Sequence, residues 1–138
     1  RYRVVDELRD ALNDKNLKQL DRLIEKLILD VMSFHDTDKR YENSYHMLLA
    51  GFFYALDDYY TVKSNIESGY GRADIILFPK NQTKAGYIFE LKRANTKDIE
   101  KEVQKALLQI NIKKYYTELE KHGVKEIIKI GYVFDLTV

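Results

Sequence analysis

Apolar positions recur at helical spacing early in the chain and at strand spacing in its middle. Val4, Val5, Leu8, Ala11 and Leu12 form one stripe and predict a helix over 4–12. "NDKN" interrupts it, and Asn16 is placed to cap a second helix whose stripe is Leu17, Leu20, Ile24, Leu27 and Val31. After the polar, loop-like "SFHDTDKR" at 33–40, a third helix is predicted from about Tyr41 to Leu56.

Three strand patterns follow in close succession. "YTVKSNIES" alternates, which predicts Val62, Ser64 and Ile66 on one face. "GYG" turns the chain into "RADIILFP", a strand ending at the only proline, Pro79, with Asp74 expected on the face of Ile76 and Phe78. "KNQTKAG" leads to "GYIFELKRA", residues 86–94, where Tyr87, Ile88, Phe89 and Leu91 supply the β-branched and aromatic bulk that strands favour. A long helix is then predicted from Thr96 to Leu119, with Ile99, Val103, Ala106, Ile110 and Lys113 along one stripe and Gly123 as its stop. "EIIKIGYVFDL" closes the chain as a fourth strand.

After the leading helices the order is therefore α-β-β-β-α-β, an α/β (α+β) fold with a four-stranded mixed sheet flanked by helices. Residues 1–40 read as a helical extension packed on the main domain, or as a connector to an upstream one, and residues 41–138 as the main domain.

Composition narrows the class. A chain of 138 residues suits one domain, and 45% hydrophobic residues with 11 Tyr and 6 Phe argue for a packed core rather than disorder. The first residue is Arg1 rather than methionine, so the chain is expected to be a piece of a longer one. No apolar stretch approaches the ~20 residues that cross a membrane, and a cytoplasmic protein is the expectation. Without cysteine, any metal must be held by oxygen or imidazole. Residues 1–79 carry 11 Lys/Arg against 14 Asp/Glu and residues 80–138 carry 12 against 8, so the mildly basic charge lies in the second half.

Polar residues inside apolar patterns supply the candidate chemistry. Glu90 and Lys92 share a strand face with Ile88, and Asp74 sits one strand earlier. Glu42 opens the third helix, with Tyr45, His46, Leu49 and Phe53 following at helical spacing; Gln109 lies beside Ala106 and Lys113 in the long helix. Buried carboxylates are costly unless paired, hydrogen-bonded or bound to metal, and several converging cannot all stay ionised without a cation between them. Oxygen ligands of this kind suit Mg²⁺ or Mn²⁺, and with a lysine nearby the set fits phosphodiester hydrolysis by a metal-activated water. His35, Asp36 and Asp38 match no ligand spacing and read as a solvated loop.

The order Glu42, Asp74, Glu90-Leu91-Lys92, Gln109 resembles the PD-(D/E)XK nuclease superfamily, whose restriction-endonuclease-like core has the same αβββαβ arrangement. "YENSYH", "SNIESGYGRADIILFP", "FELK" and "ALLQINIKKYY" further resemble the nuclease-like domain that follows an AAA-ATPase-like domain in a family of bacterial and archaeal proteins, over roughly residues 41 to 135. The resemblance implies Asp74, Glu90 and Glu42 as metal ligands, these three with Lys92 and Gln109 as the catalytic set, and Tyr115 in a supporting position. Ala73 stands where the superfamily motif has proline. Arg72 reads as a phosphate contact or as a holder of the turn, and His46 as a metal contact or a hydrogen-bonded core residue.

The expected function is thus a metal-dependent nuclease using Mg²⁺ or Mn²⁺, acting on DNA rather than RNA, with an AAA-ATPase-like domain upstream and a homodimer as the form that cuts duplexes. The competing expectation is an inactive nuclease-fold module that binds nucleic acid or the ATPase domain.

Overall fold

The computed structural model describes residues 3–32 and 44–135. The polar stretch with His35, Asp36 and Asp38, and the start of the third predicted helix with Glu42, lie outside the described residues. Helices α1 (Val4–Asn13), α2 (Leu17–Met32) and α3 (Ser44–Tyr54) precede strands β1 (Tyr60–Ser68), β2 (Gly71–Pro79) and β3 (Gly86–Ala94). A 3₁₀ turn at Thr96–Asp98 leads into α4 (Ile99–Lys113), then α5 (Thr117–Lys121) and β4 (Ile127–Asp135). The sheet order is β1-β2-β3-β4: the first three strands are antiparallel, and β4 runs parallel to β3. A parallel pair needs a crossover, which α4 and α5 provide.

The sheet is covered on both faces. On one, Leu8, Leu12, Leu20, Ile24, Leu49 and Phe53 of α1–α3 pack against Ile75, Leu77, Tyr87 and Phe89. On the other, Ile110, Tyr115 and Leu119 pack against Ile76, Phe78 and Ile88. Each such side chain fully removed from water contributes roughly 1.5–3 kcal/mol. The two leading helices belong to this core, since Leu8, Leu12 and Ile24 are fully buried. The Tyr87 hydroxyl donates to the Leu12 carbonyl at 2.6 Å and that of Tyr60 to Asn13 Oδ1 at 3.1 Å. Asn16 does cap α2, its Oδ1 accepting the Gln19 amide at 3.1 Å.

Two patterns that run straight through the sequence break in the structure. Val62 packs on the α1–α3 side and Ile66 on the α4 side, although alternation put them on one face. Asn65 between them sits at φ 52°, a left-handed conformation that asparagine tolerates, and this reverses the alternation. The partner strand does the same: Ala73 joins Ile76 and Phe78, so Asp74 does not share their face by simple alternation. Asn65 and Asp74 are the one opposed pair absent from the β1–β2 register, and β2–β3 pairing extends only from Leu77–Tyr87 to Ile75–Phe89. Asp74 therefore lies where both of its ladders lapse.

The predicted helix from Thr96 to Leu119 is two helices. Lys114 ends α4 in the left-handed conformation, φ 54°, and Tyr115 turns into the core before α5 begins. In a continuous helix Tyr115, six residues after Gln109, would point to a different face. The break brings the two side chains together.

Candidate active site

Strand β3 keeps strict alternation. Tyr87, Phe89 and Leu91 face α1–α3, while Ile88, Glu90 and Lys92 face α4. Lys92 Nζ donates to Gln109 Oε1 at 3.0 Å, and Gln109 Nε2 donates to the Tyr115 hydroxyl at 2.9 Å. The amide is thus fixed at both ends. Tyr115 is held in turn through its carbonyl, which accepts from Ser68 Oγ.

Where β2 leaves the ladder, Asp74 substitutes a side-chain acceptor for a backbone one: its Oδ2 accepts the Leu91 amide at 2.8 Å. Its carbonyl oxygen is 3.0 Å from His46 Nε2, which is also 2.7 Å from Ser64 Oγ. Nε2 meets both an acceptor, the Asp74 carbonyl, and a hydroxyl, and the ring's tautomer sets its role toward each. His46 ties α3 to the two strands at the kink. Tyr45, His46, Asp74, Leu91, Lys92, Arg93 and Phe134 line a cleft of about 300 Å³.

Glu90 is only 2% exposed, and its Oε1 is buried with no hydrogen-bond partner. Burial pushes its carboxyl up to about 8, and a hydrogen bond with Asp74 and the charge of Asp74 push the same way, against a downward pull from Lys92. Burial and the neighbouring Asp74 carboxylate both favour the protonated form of Glu90, and a cation held between the two groups would offset that repulsion. Among the described residues no group of three His, Asp or Glu side chains converges. Two carboxylates and an orphaned buried oxygen nonetheless suit Mg²⁺, which uses one or two protein carboxylates and fills its remaining positions with water and phosphate.

The structure therefore brings Asp74, Glu90, Lys92, Gln109 and Tyr115 together, with His46 behind Asp74. Arg72 stands apart from the cleft lining, 65% exposed and 3.6 Å from Glu67 across the hairpin. Sequence reasoning missed the Leu91 amide and Ser64 as partners. A backbone amide carries no residue signal, but a polar Ser-Asn pair inside an alternating strand marks the kink that uses Ser64.

Residues 40–137 match the family model described as the PD-(D/E)XK nuclease superfamily. The chain belongs to that superfamily. Its mixed four-stranded sheet with flanking helices is the restriction-endonuclease-like fold of these nucleases, and the membership assigns it nuclease-type function on nucleic acid. The curated proteins contain no match to the chain. No helix among the described residues of this PD-(D/E)XK protein is long and apolar enough to cross a membrane.

Proposed function

We propose that the domain is a metal-dependent nuclease that hydrolyses phosphodiester bonds in DNA, with Asp74 and Glu90 holding Mg²⁺ or Mn²⁺, Glu42 as a third carboxylate, and Lys92 as the catalytic lysine. The observation that carries this is the meeting of Asp74 with the buried Glu90 where β2 and β3 part, Asp74 and Lys92 lining the cleft beside them. When bound, the cation would lower the pKa of a water it holds and offset phosphate charge.

The remaining work falls to the chain's own groups. Gln109 presents an oxygen to Lys92, which fixes the ammonium in place and leaves its other hydrogens for the attacking water and the phosphate. The Leu91 amide, by engaging Asp74 Oδ2, fixes the orientation of the carboxylate that would hold the ion. In the reaction an oxygen–phosphorus bond forms in line with the bond that breaks; the water loses a proton to solvent and the leaving oxygen gains one. His46 positions Asp74 through its carbonyl, and Arg72 at the hairpin is reserved for a phosphate farther along the strand.

Resemblance over 41–135 supports an AAA-ATPase-like domain upstream in the full-length chain, a cytoplasmic location, and a homodimer for cutting both strands of a duplex. The deciding experiment incubates the domain with DNA and RNA in Mg²⁺, Mn²⁺ or EDTA, beside Asp74→Ala and Lys92→Ala. Cleavage that needs metal and is lost in both variants is expected. Cleavage unchanged by the substitutions would overturn the assignment, and absence of both cleavage and calorimetric Mn²⁺ binding would leave an inactive binding module.

A further inference from the structure

The tip of the β1–β2 hairpin is fastened to the end of α4 far more firmly than an exposed turn requires. Gly69, at φ +61°, lies so close that a Cβ there would come within 2.1 Å of the Lys113 carbonyl oxygen. The Tyr70 amide donates to that same carbonyl at 2.7 Å, and Ser68 Oγ donates to the Tyr115 carbonyl. Only the Tyr70 backbone is used in this joint. Its side chain is 71% exposed, with Lys114 Nζ 5.4 Å from the ring centroid.

Lys114 occupies a left-handed position that glycine takes without steric cost, yet it carries a long cationic side chain over an aromatic ring. Lys113 runs alongside Gly71, its Cδ 3.5 Å from where a Cβ would stand, and Arg72 is exposed one residue on. An exposed aromatic ring on an anchored backbone, with the Lys114 ammonium beside it and Lys113 at the joint, has the chemistry of a single-strand platform: an unpaired base stacks on the ring while phosphates meet the lysines. Base pairs inside a duplex expose no such face.

We propose that Tyr70, Lys113 and Lys114 form a shelf that binds an unpaired segment of the nucleic acid next to the bond being cut. The proposal rests on the nuclease reading and names the form of its substrate. Shelf and cleft share one scaffold, because the Tyr115 hydroxyl that lies 3.4 Å from the Gly71 position also accepts from Gln109, which holds Lys92.

The test is fluorescence anisotropy in EDTA, where no cleavage occurs, using labelled single-stranded and blunt duplex DNA oligonucleotides. Tyr70→Ala is expected to weaken single-strand binding by ~10-fold or more, with little change for the duplex, and Tyr70→Phe to restore it. Replacing both lysines, as Lys113→Gln with Lys114→Gly, should reduce the slope of log affinity against log salt by about 1.4 for a single strand. Single-strand affinity unchanged in Tyr70→Ala, an equal loss for the duplex, or no single-strand binding by the wild type would each overturn the shelf. Hydrolysis of a small chromogenic phosphodiester by the wild type in Mn²⁺ reports the cleft separately: if it is absent while Tyr70-dependent binding holds, the nuclease reading falls and the shelf stands.

Discussion

The two faces of the sheet are built from alternate residues of the same strands, yet they follow opposite rules. Toward α1–α3, β3 presents Tyr87, Phe89 and Leu91, and the polar atoms there are spent on the fold. Burial pushes the Tyr87 phenol up, so it stays protonated and donates to Leu12. Toward α4 the same strand passes from Ile88 to Glu90 and Lys92. The carboxyl that is buried there keeps an oxygen without a partner. One face is packed for stability; the other keeps polar groups that a hydrophobic residue could replace more cheaply.

Substitutions should separate the two. On the α4 face, Lys92→Ala is expected to lower phosphodiester cleavage by about 10²–10⁴-fold with a nearly unchanged melting temperature, as read by oligonucleotide cleavage beside thermal unfolding. On the other face, Phe53→Ala removes a fully buried ring tilted against Phe89, with centroids 4.9 Å apart, and should cost about 3–5 kcal/mol in urea unfolding. A large loss of activity from a Phe53 variant that remains folded would blur the division.

Glu90→Gln should reverse the usual sign of a core substitution. With the folded pKa raised to about 8 from 4.5, the folded protein binds more protons than the unfolded chain between these values. Stability of the metal-free protein should therefore fall as pH rises through that window, and the amide should abolish the fall. At alkaline pH the variant is expected to be more stable by ~1–3 kcal/mol while losing cleavage; chemical unfolding across pH 4.5 to 8.5 measures both limbs. A wild-type profile that rises instead would mean that Glu90 is ionised in the apo fold.

The smallest effect is expected where neither face is involved. Lys15 and Glu126 meet at 3.0 Å between the α1–α2 turn and the start of β4, 47% and 54% exposed. Lys15→Ala should change stability by less than ~1 kcal/mol and leave cleavage intact. A larger loss would show that this pair, rather than the buried leucines, anchors the leading helices.

The element order, the strict alternation of β3 and the grouping of Glu90 with Lys92 were legible in the sequence, because each depends on a short-range period of side chains along one element. The capping of α2 by Asn16 was legible for the same reason. The kink at Asn65 and Asp74 was not. Left-handed backbone at an asparagine is one option among several until the neighbouring strand and His46 select it. Nor was the end of α4, where Lys114 adopts a conformation its residue type disfavours and only the docked hairpin explains it. The sequence by itself determined which elements hold Asp74, Glu90, Lys92 and Gln109. Tertiary structure decided that Asp74 reaches Glu90 and that Tyr115 reaches Gln109, since both meetings require a break in a local period, and such breaks are stabilised by contacts distant along the chain.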